Sequence, residues 1–393
     1  MRLLVQMRVV ARLSLSTLWL RKGSSLVIVV CMACVVGVLL SVLSVTAGLF
    51  RAYNIAGSPG RAIVFSSDAY PAQGGRAEEA SHIPQDAVGV LVGAPGIARS
   101  PDGKPLMEAE SLALLPPVEG FAFGSLFVRG VGANSLTMRP EFKITSGRLF
   151  QPGLHELIVG VGAEGMFSLK VGDRIIMSDG EWPIVGAFSA SGGIIESQLI
   201  GDAATVMSAV QRTTSFNSVL VQLESPAAFD TFRNWVTSNP ALNLSTERQS
   251  DYYRQAARRF AAFFTAVAYI VGVIMALGAL FGSVKILHAA VDSRAREIAT
   301  LRAIGYDALP VATSVVLEAV LLSLIGALIG AWIARILFDG KLEAIFNAVF
   351  TLSVSPGLIA LGVGWALLLA ILGGLTPAVR SARLPVADAL RRA

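Results

Sequence analysis

Charge is what this sequence of 393 residues has least of: Asp, Glu, Lys and Arg make up 15% of it, against 54% hydrophobic residues. Soluble domains carry about a quarter charged residues, so a chain this poor in charge is expected to lie largely in a membrane. Lysine is scarcer still, and none of the six stands in the G-x-x-x-x-G-K-[ST] spacing that cradles phosphates. Gly103-Lys104 is followed by Pro105 in a turn, so the sequence holds no ATP-hydrolysing loop of that kind. The three histidines, His82, His155 and His288, are far apart and none has zinc-ligand spacing. There is no G-x-S-x-G elbow. No catalytic residue, metal or cofactor of its own is expected.

The two cysteines, Cys31 and Cys34, lie one helical turn apart inside an apolar run, which excludes a disulfide framework. The net charge of +5 comes without a basic stripe interleaved with aromatics, so no nucleic-acid partner is expected. The basic residues cluster beside the apolar runs, where the rule that cytoplasmic loops are basic explains them.

The apolar runs and their flanks divide the chain. Residues 1–23 carry Arg2, Arg8, Arg12, Arg21 and Lys22 and no acid, and are expected to lie along the inner membrane surface. Residues 24–50 are almost wholly apolar, about twice the length of a signal-peptide core, and read as a retained first span. From 51 to 249 the composition becomes that of a soluble domain, with turn-rich stretches such as GSPG and SPDGKP between short β-branched runs. Strands are predicted at Ala62–Phe65, Leu126–Val128, Glu156–Val159, Arg174–Met177, Trp182–Ala187 and Ser218–Gln222. A helix over Pro226–Ser238 is predicted to turn Phe229, Phe232 and Trp235 inward. Residues 250–288 form a stalk and second span, with the apolar core at Phe260–Leu280; Arg254, Arg258 and Arg259 read as interfacial anchors for lipid head groups. Residues 289–307 are a charged segment, 308–338 a third span, 339–356 a short loop, 357–376 a fourth span and 377–393 a basic tail. The fold class is therefore a membrane α-helical protein of four transmembrane helices, with a large extracytoplasmic α+β domain between the first and second. Basic residues before the first span, between the second and third, and after the fourth place both termini and the charged segment in the cytoplasm.

The charged segment, SRAREIATLRAIGY, is the chain's most specific stretch. Val291, Ala295, Ile298 and Leu301 or Arg302 share one face, Asp292 precedes Arg296 by four residues, and Gly305 stands where a left-handed cap ends a helix. Asp307 and Pro310 open the next helix. REIATLRAIGYD followed by VVLEAVLLSLIGALIG resembles the C-terminal permease module of the FtsX/MacB/LolC superfamily of ABC transporter membrane subunits, and the tail, with Pro377, Pro385, Leu390 and Arg391, is similar to that family's ending. Residues 147–188 resemble the periplasmic core domain of MacB-like permeases through Gly147, Arg148, Phe150, Glu156, Gly160, Val171, Gly172, Asp173, Val185 and Gly186, which read as holders of the fold.

The resemblance implies that Arg294, Arg296, Glu297, Leu301, Arg302 and Gly305 form the coupling element that meets an ABC ATPase. ATP would be bound by a dimer of separate ATPase subunits, with a second permease copy or paralogue beside this one and a possible periplasmic adaptor, in a bacterial inner membrane. The motion implied is mechanotransmission that exports a substrate from the outer side. Two other functions stay open: an FtsX-like signalling subunit activating a cell-wall hydrolase, and a proton-coupled secondary transporter resting on Glu318, the one carboxylate within the third span. Gly278 and Gly282, and Gly326 and Gly330, have the small-xxx-small spacing that lets helices touch, either within one chain or between two.

Overall fold

In the computed structural model, residues 22–69, 77–115, 126–211, 214–239, 242–293, 300, 303–304, 307–345 and 348–382 are described. In chain order, α1 (Lys22–Ala56) is followed by β1 (Arg61–Ser66), a single helical turn α2 (Ala77–Ala80), β2 (Ile83–Pro84), α3 (Gln85–Leu91), β3 (Met107–Leu114), β4 (Phe127–Val131) and α4 (Ala133–Thr137). Then come β5 (Lys143–Gly147), β6 (Leu157–Gly160), α5 (Val161–Phe167), β7 (Arg174–Met177), β8 (Gly180–Ser189), β9 (Gln198–Asp202), α6 (Ala203–Ala209), β10 (Ser215–Phe216) and β11 (Ser218–Gln222). After α7 (Phe229–Ser238) and β12 (Leu244–Arg248) the chain enters α8 (Gln249–Ser293), α9 (Ala308–Phe338), the hairpin β13 (Leu342–Ile345) and β14 (Ala348–Thr351), and α10 (Pro356–Ala382). Four of these helices, α1, α8, α9 and α10, are long and apolar enough to cross a membrane. The chain divides into two units: residues 1–46, 264–339 and 353–393, and residues 47–263 with 340–352.

The first unit is helical, and small residues set its packing. A side chain at Gly326 would stand 2.4 Å from the Val29 carbonyl oxygen, and one at Gly330 2.3 Å from that of Ala33, so α9 crosses α1 at backbone distance. Met32, Val36 and Leu40 of α1 meet Ala327, Ala331 and Ala334 of α9 and Ala366 and Leu369 of α10 in one core. Helix α8 is the least covered: 12% of its most apolar window is buried, against 33% to 44% for the others. Helix α10 runs through Pro377 to Ala382, six residues past the end expected for the fourth span. The proline removes one i to i−4 hydrogen bond, and the buried Ala378 and Ser381 hold the last turn nonetheless.

The second unit is built on a ten-stranded sheet in the order β12-β1-β11-β3-β4-β9-β6-β8-β5, with β7 pairing β8. Neighbours are antiparallel except β4 with β9 and β6 with β8. Two cores share it. Alternating residues of β1 and β11 pack with α3 and α7 in the first, where Phe229, Phe232 and Val236 are buried and Trp235 is only partly covered. The second gathers Val128, Leu157, Val159, Trp182 and Leu199 against α5 and α6. Strand β3 serves both, giving Met107 and Ala109 to one and Ala113 to the other.

The expected short loop between the last two spans carries the antiparallel pair β13 and β14. Val349 joins the second core, and Leu342 lies 2.8 Å from where a side chain on Gly165 would begin. Phe350 is buried, and a side chain at Gly48 would stand 2.3 Å from the Thr351 carbonyl oxygen. The partners of the hairpin lie far from it in sequence, so no local pattern announces the docking.

Candidate functional site: a buried ionic joint and the helix beside it

Strand β4 places Arg129 in an otherwise apolar run, Phe127–Val131, where every residue is buried. A guanidinium without water needs its donors matched. Arg129 meets that need by donating from Nη2 to Glu78 Oε2 at 3.0 Å, from Nη1 to Glu110 Oε2 at 2.8 Å and from Nε to Gln198 Oε1 at 2.8 Å. Glu110, on β3, is held from the other side by Arg139, whose Nη1 and Nη2 reach its two oxygens at 2.7 and 3.0 Å, and by the Ser135 hydroxyl. Ser218 Oγ donates to Glu78 Oε1 at 2.9 Å, and Asn217 Nδ2 to the Glu78 carbonyl at 3.0 Å.

This closed network joins β3, β4, β9, β11, α2 and α4 with fork-shaped donors on paired acceptors. Burial alone pushes the Glu110 carboxyl up, but Arg139 and Arg129 outweigh it and hold it at about 2. Burial pulls both guanidiniums down and their carboxylate partners raise them further, so Arg129, Arg139 and Glu110 stay charged near neutrality.

The foot of α8 sits beside this network. Tyr252 and Tyr253, both buried, lie close enough to Glu78 and Arg129 for hydroxyls and charges to interact. Tyr252 tilts against Phe65 of β1 at 5.0 Å between ring centroids, and Tyr253 against Tyr53 of α1 at 6.1 Å. On the opposite face Arg254, Arg258 and Arg259 are exposed, and Arg254 pairs with Asp251 at 3.0 Å.

The coupling residues named from the sequence, Arg294, Arg296, Glu297, Leu301, Arg302 and Gly305, lie outside the described residues, as do residues 1–21 and the tail from 383. At the edge of that segment Asp292, expected to pair with Arg296, has Arg380 of α10 at 3.3 Å. Asp307 occupies the N-cap position of α9 without a capping side-chain hydrogen bond. Glu318 is 7% exposed and takes part in an interaction of its own. The two glycine pairs part company: Gly326 and Gly330 are pressed onto α1, whereas among the described residues nothing lies within 4 Å of a Cβ placed at Gly278 or Gly282. Around the latter, Ile270, Ile274, Leu277 and Phe281 of α8 are all more than half exposed.

Residues 147–188 act as structure. Gly147, at φ +69, and Gly186 interlock: a side chain at either would collide with backbone of the other's strand, at 2.3 Å from the Val185 carbonyl and 2.1 Å from that of Arg148. Pairing slips by one residue at this point on both sides of β8. Arg148 grips Glu156 through two hydrogen bonds of 2.7 and 2.6 Å, which lower the Glu156 carboxyl pKa. Gly172, at φ +103, makes the turn into β7.

Sequence reading missed Glu78, Glu110, Arg129 and Arg139. The available signal was charge within β-forming runs, as in MEAESLAL and LFVRGV, where a strand buried on both faces tolerates no lone ion.

Comparison with known proteins adds three kinds of match. Residues 269–386 match the family described as FtsX-like permease C-terminal. Over 316 residues the chain is 24% identical to the macrolide export ATP-binding/permease protein MacB 2 of Aeromonas hydrophila subsp. hydrophila, covering 74% of this chain and 47% of that protein. The chain thus spans about half the length of this curated relative. Among solved structures, the extracellular domain of the noncanonic ABC-type transporter YknZ from Gram-positive bacteria aligns with 48% of this chain and 99% of its own, at 12% identity and a TM-score of 0.34.

Proposed function

We propose that this chain, a permease of the MacB/FtsX family, is a lever driven by the ATPase subunits of an ABC transporter. ATP-driven closure of the ATPases displaces the segment 289–307, α8 carries the displacement through the bilayer, and the external domain changes shape. The motion expels a lipid, lipoprotein, peptide or drug-like substrate on the outer side of a bacterial inner membrane, with a second permease copy and a periplasmic adaptor as further partners. The name of the MacB relative favours the drug-like end of that range.

The observation that carries this reading is the continuity of α8, 45 residues from Gln249 to Ser293 in one helix. At 1.5 Å per residue it is roughly 65 Å long, about twice the hydrocarbon thickness of a bilayer. A rod of that length reaches well beyond the bilayer. Its foot is seated beside the Arg129 network, and its other end leads into the segment that resembles a coupling element. The joint's charges neutralise one another, as suits a part that bears force.

Affinity purification of the tagged chain from membranes tests this. An ABC ATPase should co-purify, and its ATP turnover in the complex should drop several-fold when Glu297 and Arg302 are replaced by Ala. Complexes without a nucleotide-hydrolysing partner overturn the lever, and a cell-wall hydrolase as the main partner favours signalling.

A further inference from the structure

The first lobe of the external domain holds a cavity of about 440 Å³, formed where the end of β1, the start of α3 and the start of β12 converge. That volume lies within the range of small-molecule sites, roughly 300 to 1,000 Å³. Its wall has two characters. Ala87, Val90, Leu242 and Leu244 give it an apolar side, on which Val90 is 46% exposed. Asp68 and Asp86 give it an acidic one, with the exposed His82 beside them, and neither Lys nor Arg is among the described residues that line it.

Both carboxylates are held in place, and no described residue supplies either with a counter-charge. Asp68 accepts a hydrogen bond from Asn243 Nδ2 at 3.1 Å on Oδ1, and Asp86 accepts one from the Ala87 amide at 2.9 Å on Oδ1. Neither forms an ion pair with any described residue, although the chain as a whole carries a net charge of +5. A concave surface that is negative on one side and apolar on the other complements one kind of molecule: a cation with an apolar body. A divalent metal fits poorly, because no three His, Cys, Asp or Glu side chains among the described residues gather to ligate one.

We propose that this cavity binds a cationic amphiphile, with Asp68 and Asp86 facing its charge and Val90, Leu242 and Leu244 its apolar part. The site is independent of the lever: binding needs neither ATPase nor motion, and can be measured on the full chain alone. The probe is rhodamine 6G, a lipophilic cation, titrated by fluorescence polarisation against the whole protein in nanodiscs, with fluorescein as the anionic counterpart. Saturable binding of the cation, and none of the anion, is expected. Removing both charges with Asp68→Asn and Asp86→Asn should weaken binding about tenfold or more, the size of a lost charge-assisted contact. The single replacement Val90→Trp, at an exposed position that keeps both carboxylates, should weaken it to a similar degree by filling the space. Binding that does not saturate, that accepts fluorescein equally, or that survives the Val90→Trp replacement unchanged overturns the site. The Val90→Trp result decides the matter even if the doubly substituted protein fails to fold.

Discussion

Arg129 and Glu110 face each other across β4 and β3 at 2.8 Å, and each retains no more than 2% of its exposure to solvent. Each is balanced by a second ion, Glu78 on one side and Arg139 on the other. Removing one member of such a set leaves a buried charge uncompensated, which costs about 3 to 5 kcal/mol. Glu110→Gln is therefore expected to lower the unfolding free energy of the sheet domain by that amount, read by denaturant titration of the full chain. A loss below about 1 kcal/mol would mean that the network is solvated and cannot anchor α8.

The same carboxylate sets an acid limit. Because Glu110 is depressed to about 2 in the folded domain from an ordinary value of 4.5, the folded state holds its proton less tightly than the unfolded chain. Its contribution is complete above pH 4.5 and is lost as pH falls toward 2. Glu156, also lowered, adds in the same direction, whereas Glu108, raised by burial, opposes it. Thermal unfolding followed from pH 7 to pH 2 should fall steeply at the acid end, and the Glu110→Gln protein should show a shallower fall.

The two glycine pairs should respond in opposite ways. Gly330→Val drives a side chain into the Ala33 carbonyl and is expected to separate α9 from α1, lowering folded yield in detergent. Gly278→Ile and Gly282→Ile meet open space within the chain, so the fold should survive and self-association should weaken, as read by cross-linking in membranes. An intact cross-linked pair in the latter protein removes this face of α8 from the permease interface.

Docking of the hairpin can be broken from inside. Val349 is 3% exposed in the second core, so Val349→Asp buries an unpaired carboxylate, at a cost of several kcal/mol unless the hairpin leaves its seat. Hydrogen exchange should then accelerate over residues 342–351 and over α5, while β1 and β12 in the first lobe stay protected.

Glu318→Gln distinguishes two uses of the buried carboxyl of α9. A side chain that serves only to hold helices keeps most of its hydrogen bonding as an amide, and ATP-driven activity should fall less than about threefold. An obligatory proton carrier would lose activity altogether.

Much of this architecture is written locally. An apolar stretch of 18 or more residues is long enough to cross a bilayer, so four candidate spans follow from composition alone. The strands at Arg174–Met177 and Ser218–Gln222 fall where turn residues and β-branched runs put them, because both signals act over a few residues. What required the tertiary structure is everything that joins distant segments. Glu78 meets Arg129 across 51 positions and Ser218 across 140, and no pattern in MEAESLAL reveals that its second glutamate faces two arginines. Identical glycine spacing in α8 and α9 ends in open space in one and backbone contact in the other. Spacing determines only that close approach is sterically allowed; which helix approaches depends on how all four pack. Hydrophobic periodicity is a property of neighbours in sequence, whereas charge pairing and helix contact are properties of neighbours in space, and only folding brings those together.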